Sequence, residues 1–258
     1  MSIHPTAIVD PKAELDETVE VGPYVIIEGG VRIGARTRIM AHAHINGNTT
    51  IGEDNVIHMG AVIGHEPQDI GYDGAPNRLV IGDRNTFREY VSIHRASSPE
   101  TETRVGSDCF LMGFSHIGHD CHVGDRVIVA NYSMLGGHAE VQDGVNISGG
   151  CAVHQFTRIG RYAMLQGLSG ASKDVPPFMT AMRVNRVSGP NIVGLRRAGF
   201  SAQARREIRA ASKVLFREGN SVPRALEKLR QGGFGPEVQE MIEFIEKSKR
   251  GICSHTGE

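Results

Sequence analysis

Val105-Gly-Ser-Asp-Cys-Phe-Leu111-Met-Gly-Phe-Ser-His-Ile117-Gly-His-Asp-Cys-His-Val123-Gly-Asp-Arg-Val-Ile-Val129 puts a large apolar residue at every sixth position. The beat runs outward in both directions. Of the 28 such positions from Ile3 to Leu165, 25 are large and apolar, which rules out coincidence; Asp69, Ala75 and Pro99 are the exceptions. Small or short side chains often stand two positions ahead of the beat, as at Ala43, Thr49 and Ala61, and Gly often follows it, as at Gly118, Gly124 and Gly136. A period of six fits neither the 3.6 of a helix nor the 2 of an ordinary strand. A fixed internal period signals a solenoid. One inward aliphatic per six residues, with a turn between, gives three short strands and 18 residues per coil. Coils of this kind stack at about 4.8 Å, and each touches only its neighbours. The predicted fold is mainly β, a parallel β-helix of triangular section.

The beat is interrupted twice. Residues 64–80 (GHEPQDIGYDGAPNRLV) and 96–104 (ASSPETETR) carry Gly, Pro and charge where core aliphatics belong, and both read as loops ejected from the prism. The length of the first, and its Gln68-Asp69 pair, favour a functional role; the second reads equally well as a tolerated surface insertion. The beat fades at Leu165–Ala171, and Lys173-Asp-Val-Pro-Pro-Phe178 is expected to close the solenoid, because prolines cannot continue a ladder. The period then becomes helical. Ser201 caps a helix with Ala204, Ile208, Ala211 and Leu215 on one face. Ser221 with Pro223, and then Pro236, open two more. The chain therefore divides into a β-helix domain, 1–189, and an α-helical domain, 190–258.

The 258 residues carry a formal charge of −1. The helical end is basic, with 13 Lys+Arg against 8 Asp+Glu in 190–258, which suits an acidic partner. Nothing calls for nucleic acid. The N-terminus has no basic-then-apolar leader, and no run is long enough for stable membrane insertion. The four cysteines form no CxxC pair, as expected of free thiols in a reducing, cytoplasmic setting.

The 18-residue coil predicts vertical neighbours. His119, Gly137 and Gln155 form one file; Asp120, His138 and Phe156 form the next; Gly118, Gly136 and His154 form the file before. His116, His119, His138, His154 and Gln155 thus gather on three consecutive coils, within about 10 Å vertically. Two chemistries fit. In the first, a neutral imidazole is a general base and a glycine N–H in the next coil receives a developing oxyanion. In the second, three histidines hold zinc, as in the γ-class carbonic anhydrases, which share this solenoid.

Ile93-His94-Arg95, Phe114-Ser-His-Ile-Gly-His-Asp-Cys121, Leu135-Gly-Gly-His138, Ala152-Val-His-Gln-Phe156, Asp174-Val-Pro-Pro177 and Gly194-Leu-Arg-Arg-Ala-Gly-Phe-Ser201, in that order, resemble the UDP-N-acetylglucosamine O-acyltransferases of lipid A biosynthesis, nearly end to end. The resemblance implies a left-handed coil. It implies a homotrimer with active sites between prisms, no cofactor and no metal. The donor would be an (R)-3-hydroxyacyl chain on acyl carrier protein, and the acceptor a UDP-sugar acylated at its 3-position. It implies His119 as general base, Asp120 as its neighbour and Gly137 as the oxyanion donor. Gln68, Asp69, His116, His138, His154, Gln155, Asn191 and Arg197 match substrate contacts, while Gly167 and Met164 match positions that limit acyl length. The chain departs from the family pattern at Gly71, across 182–190 and at Val193. These positions lie on the acceptor side, so a 3-amino sugar giving an amide is the alternative. A basic surface of Arg196, Arg197, Arg205, Arg206 and Arg209 would dock the acidic carrier.

Overall fold

A computed structural model describes residues 2–255 of the chain. Short strands of mostly two residues recur every six positions and stack into three parallel sheets, the faces of a left-handed triangular prism. Register is fixed by the inward aliphatics, which sit directly above one another. On one face Ile27, Ile45, Ile63, Ile93, Ile117, Leu135 and Val153 form an unbroken column. All are buried, and burying each such side chain is worth about 1.5–3 kcal/mol relative to leaving it exposed. Slipping one residue would turn the whole column outward.

Most coils are 18 residues long, as in Ile117 against Leu135. Two are longer: Ile63 pairs with Ile93 and Ile93 with Ile117. The extra lengths are multiples of six, which is why the beat resumes in phase. Strand pairing also reaches further into the ejected segments than expected. Val62–His65 and Arg78–Ile81 bracket the first loop, and Ser92–His94 and Glu102–Val105 the second. Leu79 and Thr103 are buried beside each other, so only the middles of the two segments leave the prism. Arg95 ties the loops together, donating from Nε to Asn77 Oδ1 at 2.7 Å and from Nη1 to the Gly64 carbonyl at 2.5 Å.

The paired prolines do not close the solenoid. Val175 still bridges Ile159, and Met179–Met182 adds a further parallel strand. Pro176 and Pro177 occupy a corner, where no ladder hydrogen bond is lost. The chain then folds back as the antiparallel strand Arg186–Pro190. Helices α1 (Ile192–Arg197), α2 (Ala202–Phe216), α3 (Val222–Gln231) and α4 (Pro236–Glu246) follow. Ser201 Oγ caps α2 at the Ala204 N–H, 3.0 Å away, as its position predicts; α1 is too short to show a period and was not anticipated. Arg161 pins α4 to the prism through a paired contact with Glu240, 2.6 Å at its shorter, while its guanidinium stacks near Phe178 and Phe200. The last residues return to the sheet, with Ser254 and His255 pairing beside Arg186 and Val187, so the C-terminal segment is not purely helical.

The cysteines are free and buried. Burial pushes the thiols of Cys121 and Cys253 up to about 12, so they are neutral and unreactive. No helix among the described residues is long and apolar enough to cross a membrane.

Candidate active site

The predicted files are real. His138 N donates to the His119 carbonyl at 2.9 Å, and Phe156 N to the Gly137 carbonyl at 3.1 Å. His119-Asp120, Gly137-His138 and Gln155-Phe156 therefore stand on successive coils at one corner of the prism. Both ejected loops leave from this same corner in the coils before. Asp120, His138 and Phe156 all have positive φ. So do the equivalent residues at other corners, such as Tyr24, Arg84 and Tyr162, so this backbone belongs to the fold and not to the site.

His119 Nδ1 lies 2.8 Å from Asp120 Oδ2. Asp120 is buried, and burial alone would raise its pKa. Hydrogen bonds from the Thr101 hydroxyl, His119 and Ser97 outweigh burial and hold the carboxyl below its ordinary value. An ionised carboxylate only accepts. The hydrogen on this contact therefore belongs to Nδ1, which in a neutral ring puts the lone pair on Nε2. That edge of the ring faces Gly137: a β-carbon there would sit 2.5 Å from both Nε2 and Cε1. The Gly137 N–H donates to no protein acceptor among the described residues. A β-carbon on Gly118 would lie 2.9 Å from that nitrogen and cover it. Two glycines thus leave one imidazole edge and one backbone donor uncovered side by side.

His138 completes the cluster. Its ring meets His119 edge-on at 5.3 Å and stacks on Phe156 at 4.5 Å, while its Nε2 lies 3.6 Å from Asp120 Oδ2. Ligand atoms of His119, Asp120 and His138 lie within 4.8 Å of one another, the one group among the described residues able to hold a metal ion. Three of the roughly four acceptor positions of the Asp120 carboxylate are taken by Ser97 N at 3.0 Å, the Thr101 hydroxyl and His119. An ion at this point would replace the hydrogen that fixes the His119 tautomer.

Loop 96–104 is no idle insertion. Ser97 and Thr101 hold the Asp120 carboxylate, and Thr103 Oγ1 accepts from the Asp120 N–H at 2.7 Å. Sequence reading missed all three. The usable signal was the longer coil between Ile93 and Ile117, which places this loop one coil from Asp120.

The other expected residues are spread out. His116 lies on the adjoining face, with Nδ1 2.8 Å from Ser92 Oγ and its ring 5.1 Å from that of His94. His154 sits toward the tail, its Nδ1 3.1 Å from the Gln155 carbonyl, and Gln155 is exposed. Gln68 and Asp69 lie on the exposed tip of the first loop, where Asp69 Oδ1 accepts from Gly71 N at 2.8 Å. Asn191 caps α1, accepting from Gly194 N at 3.1 Å. With Arg197, Met164 and Tyr162 it lines a cavity of about 920 Å³ on a different face from His119. Gly167 turns at a third corner, where an added β-carbon would meet only the Gly149 carbonyl, 3.6 Å away. His122, exposed, accepts no role beyond a 3.2 Å contact with the Glu102 carbonyl. Arg206 and Arg209 join Lys213 and Arg217 along one side of α2, lining a cleft of about 720 Å³.

Burial, then the neighbouring His94 and His119, push His116 down to about 4 from an ordinary 6.5. The folded protein withholds a proton that the unfolded chain takes up below 6.5. Stability is therefore full above that pH, falls as pH drops, and has lost the contribution by about 4. The loss is on the order of 3 kcal/mol. Urea midpoints measured between these limits are expected to fall with pH, and His116→Gln is expected to flatten that limb. His94, also held low by burial, adds to the fall in the same direction.

Residues 30–65 and 102–137 match the bacterial transferase hexapeptide family, described as six repeats. The prism with glycine-flanked histidines at one corner is thus a hexapeptide-repeat transferase. Residues 174–253 match the family described as Udp N-acetylglucosamine O-acyltransferase, domain 2. The acyl-[acyl-carrier-protein]--UDP-N-acetylglucosamine O-acyltransferase of Thermodesulfovibrio yellowstonii is 46% identical over 254 residues, 97% of this chain and 98% of that protein. The protein of the same name from Paraburkholderia xenovorans is 47% identical over 258 residues, with the same coverage, 97% and 98%. The crystal structure of the Francisella novicida UDP-N-acetylglucosamine acyltransferase superposes with a TM-score of 0.95 at 33% identity, covering 98% of this chain and 94% of that one. The chain belongs to the UDP-N-acetylglucosamine O-acyltransferase family.

Proposed function

We propose that this chain transfers an (R)-3-hydroxyacyl group from acyl carrier protein to the 3-hydroxyl of UDP-N-acetylglucosamine, the entry step of lipid A biosynthesis. The observation that carries the reading is the pairing of His119 Nδ1 with an ionised Asp120, which leaves Nε2 free beside an uncommitted Gly137 N–H. His119 takes the proton of the acceptor hydroxyl as its oxygen attacks the thioester carbonyl carbon. The Gly137 N–H receives the oxyanion of the tetrahedral intermediate. Collapse breaks the C–S bond, and the proton on His119 passes to the leaving sulfur, restoring the base.

Asp120 holds the tautomer, and His138 lies within reach of the same carboxylate. Asn191 and Arg197 serve the nucleotide, Gln68 and Asp69 the sugar, and His116, His154 and Gln155 the walls of the cleft; Gly167 and Met164 bound the acyl chain. Their dispersal over different faces of one prism supports a homotrimer in which each site draws on two chains. The cationic side of α2 suits the acidic carrier. The cytoplasm is the fitting compartment. Turnover with UDP-N-acetylglucosamine against its 3-amino analogue, across a series of acyl lengths, tests this reading. Ester formation on the natural sugar is expected to dominate; preference for the amine would assign the amide-forming reaction instead.

A further inference from the structure

A cavity of about 800 Å³ opens beside His138 and Phe156, on the opposite side of the corner from the His116 face. Its far wall is the segment that follows α4, Lys247, Lys249 and Arg250. This wall is built on fixed backbone. Asp174 N donates to the Gly251 carbonyl and Cys253 N to the Asp174 carbonyl, both at 2.9 Å. Arg250 Nε donates to the Ser172 carbonyl at 2.9 Å, and its Nη2 comes within 3.5 Å of His154 Nδ1.

The charges in the cavity do not balance. Its two carboxylates, Glu140 and Asp174, both face Arg158, at 3.3 and 3.7 Å. Of the three tail cations, Lys247 has only a distant, exposed contact with Glu243 at 3.8 Å. Lys249 has no acidic partner among the described residues, and Arg250 contacts only neutral groups. With Arg158 the cavity holds four cations against two carboxylates, so it joins the catalytic corner to a net positive wall whose three tail cations have no close acidic partner. Asn191 and Arg197 of the same chain lie on another face and leave this end unserved.

We propose that Lys247, Lys249 and Arg250 form an anion subsite for a phosphate ester of a substrate whose reacting end lies at His119. The proposal rests on the acyl-transfer reading, in which both substrates carry such a group: the diphosphate of the sugar nucleotide, or the phosphodiester that links the carrier's prosthetic arm. Cations on an anchored segment suit either, because a phosphate ester stays charged across the working pH range and gains from charge-assisted hydrogen bonds.

The test is the exposed pair Lys247→Ala/Lys249→Ala in the full chain, with Arg250 kept because it helps anchor the tail. KM is measured for each substrate at several salt concentrations, and inorganic pyrophosphate binding is titrated by calorimetry. A rise of about tenfold in one KM, with kcat little changed and a shallower salt dependence, supports the subsite. If the KM that rises is that of the acyl carrier, the group is the phosphodiester of the arm; if that of the UDP-sugar, it is the diphosphate. Unchanged KM values overturn the proposal. If the wild-type chain turns over neither substrate, the acyl-transfer reading fails, and pyrophosphate still decides the subsite. Weaker binding by the variant supports it, and equal binding or none in both proteins overturns it.

Discussion

His119→Ala is expected to lower kcat by about 10²–10⁴-fold, the usual worth of a positioned general base, with both KM values little changed. The prism should survive, because the ring lies at a corner and not among the stacked aliphatics. Removing it leaves Asp120, with a side chain only 3% exposed, one hydrogen bond short, at a cost of about 1–3 kcal/mol. His119→Asn, whose amide nitrogen stands where Nδ1 does, separates the two effects. Its amide N–H can still donate to Asp120 while offering no basic nitrogen, so it should regain much of the melting temperature and none of the rate. Thermal melts beside steady-state kinetics read both. Near-normal turnover by either variant would remove His119 from the mechanism.

Gly137→Ala is expected to lower kcat by about 10²-fold through geometry alone. The added β-carbon would fall 2.5 Å from Nε2 and Cε1 of His119, closer than carbon and nitrogen tolerate, so the ring must move. A displacement near 1 Å at a reacting group costs about that factor. Gly137 is not among the residues with positive φ, so alanine strains no backbone there, and the overpacking penalty of about 1–3 kcal/mol should leave a folded protein. Circular dichroism and a melt check the fold, and the rate reports the misplaced ring. Gly149→Ala is a suitable control, because its β-carbon would meet nothing closer than the Asn131 carbonyl at 3.4 Å and lies at another corner.

The prism was legible because its cause is repetitive. A single inward aliphatic every six residues sets the strand, the coil length and the register at once, and the two inserts hid nothing because each preserved the phase of the beat. The His119–Gly137 pairing followed from the same arithmetic. What escaped prediction is aperiodic. Whether Ser97 and Thr101 reach Asp120 depends on how one loop folds back, and no period encodes that. The prolines misled for a related reason. Their cost depends on whether they fall in a strand or at a corner, and Pro176 and Pro177 fall at a corner. The side-chain pattern of the tail is helical, yet Ser254 and His255 rejoin the sheet through backbone pairing that leaves little trace in that pattern.

The measurement that bears most directly on the central claim is product formation by the wild-type chain and His119→Ala, run side by side with (R)-3-hydroxyacyl carrier protein and UDP-N-acetylglucosamine. Mass spectrometry with fragmentation of the sugar locates the acyl group. The wild-type chain is expected to release free carrier thiol and an equal amount of sugar nucleotide acylated at O3, with at least a hundredfold less from the variant. No acylated sugar from the wild-type chain, or equal amounts from both, would contradict the account.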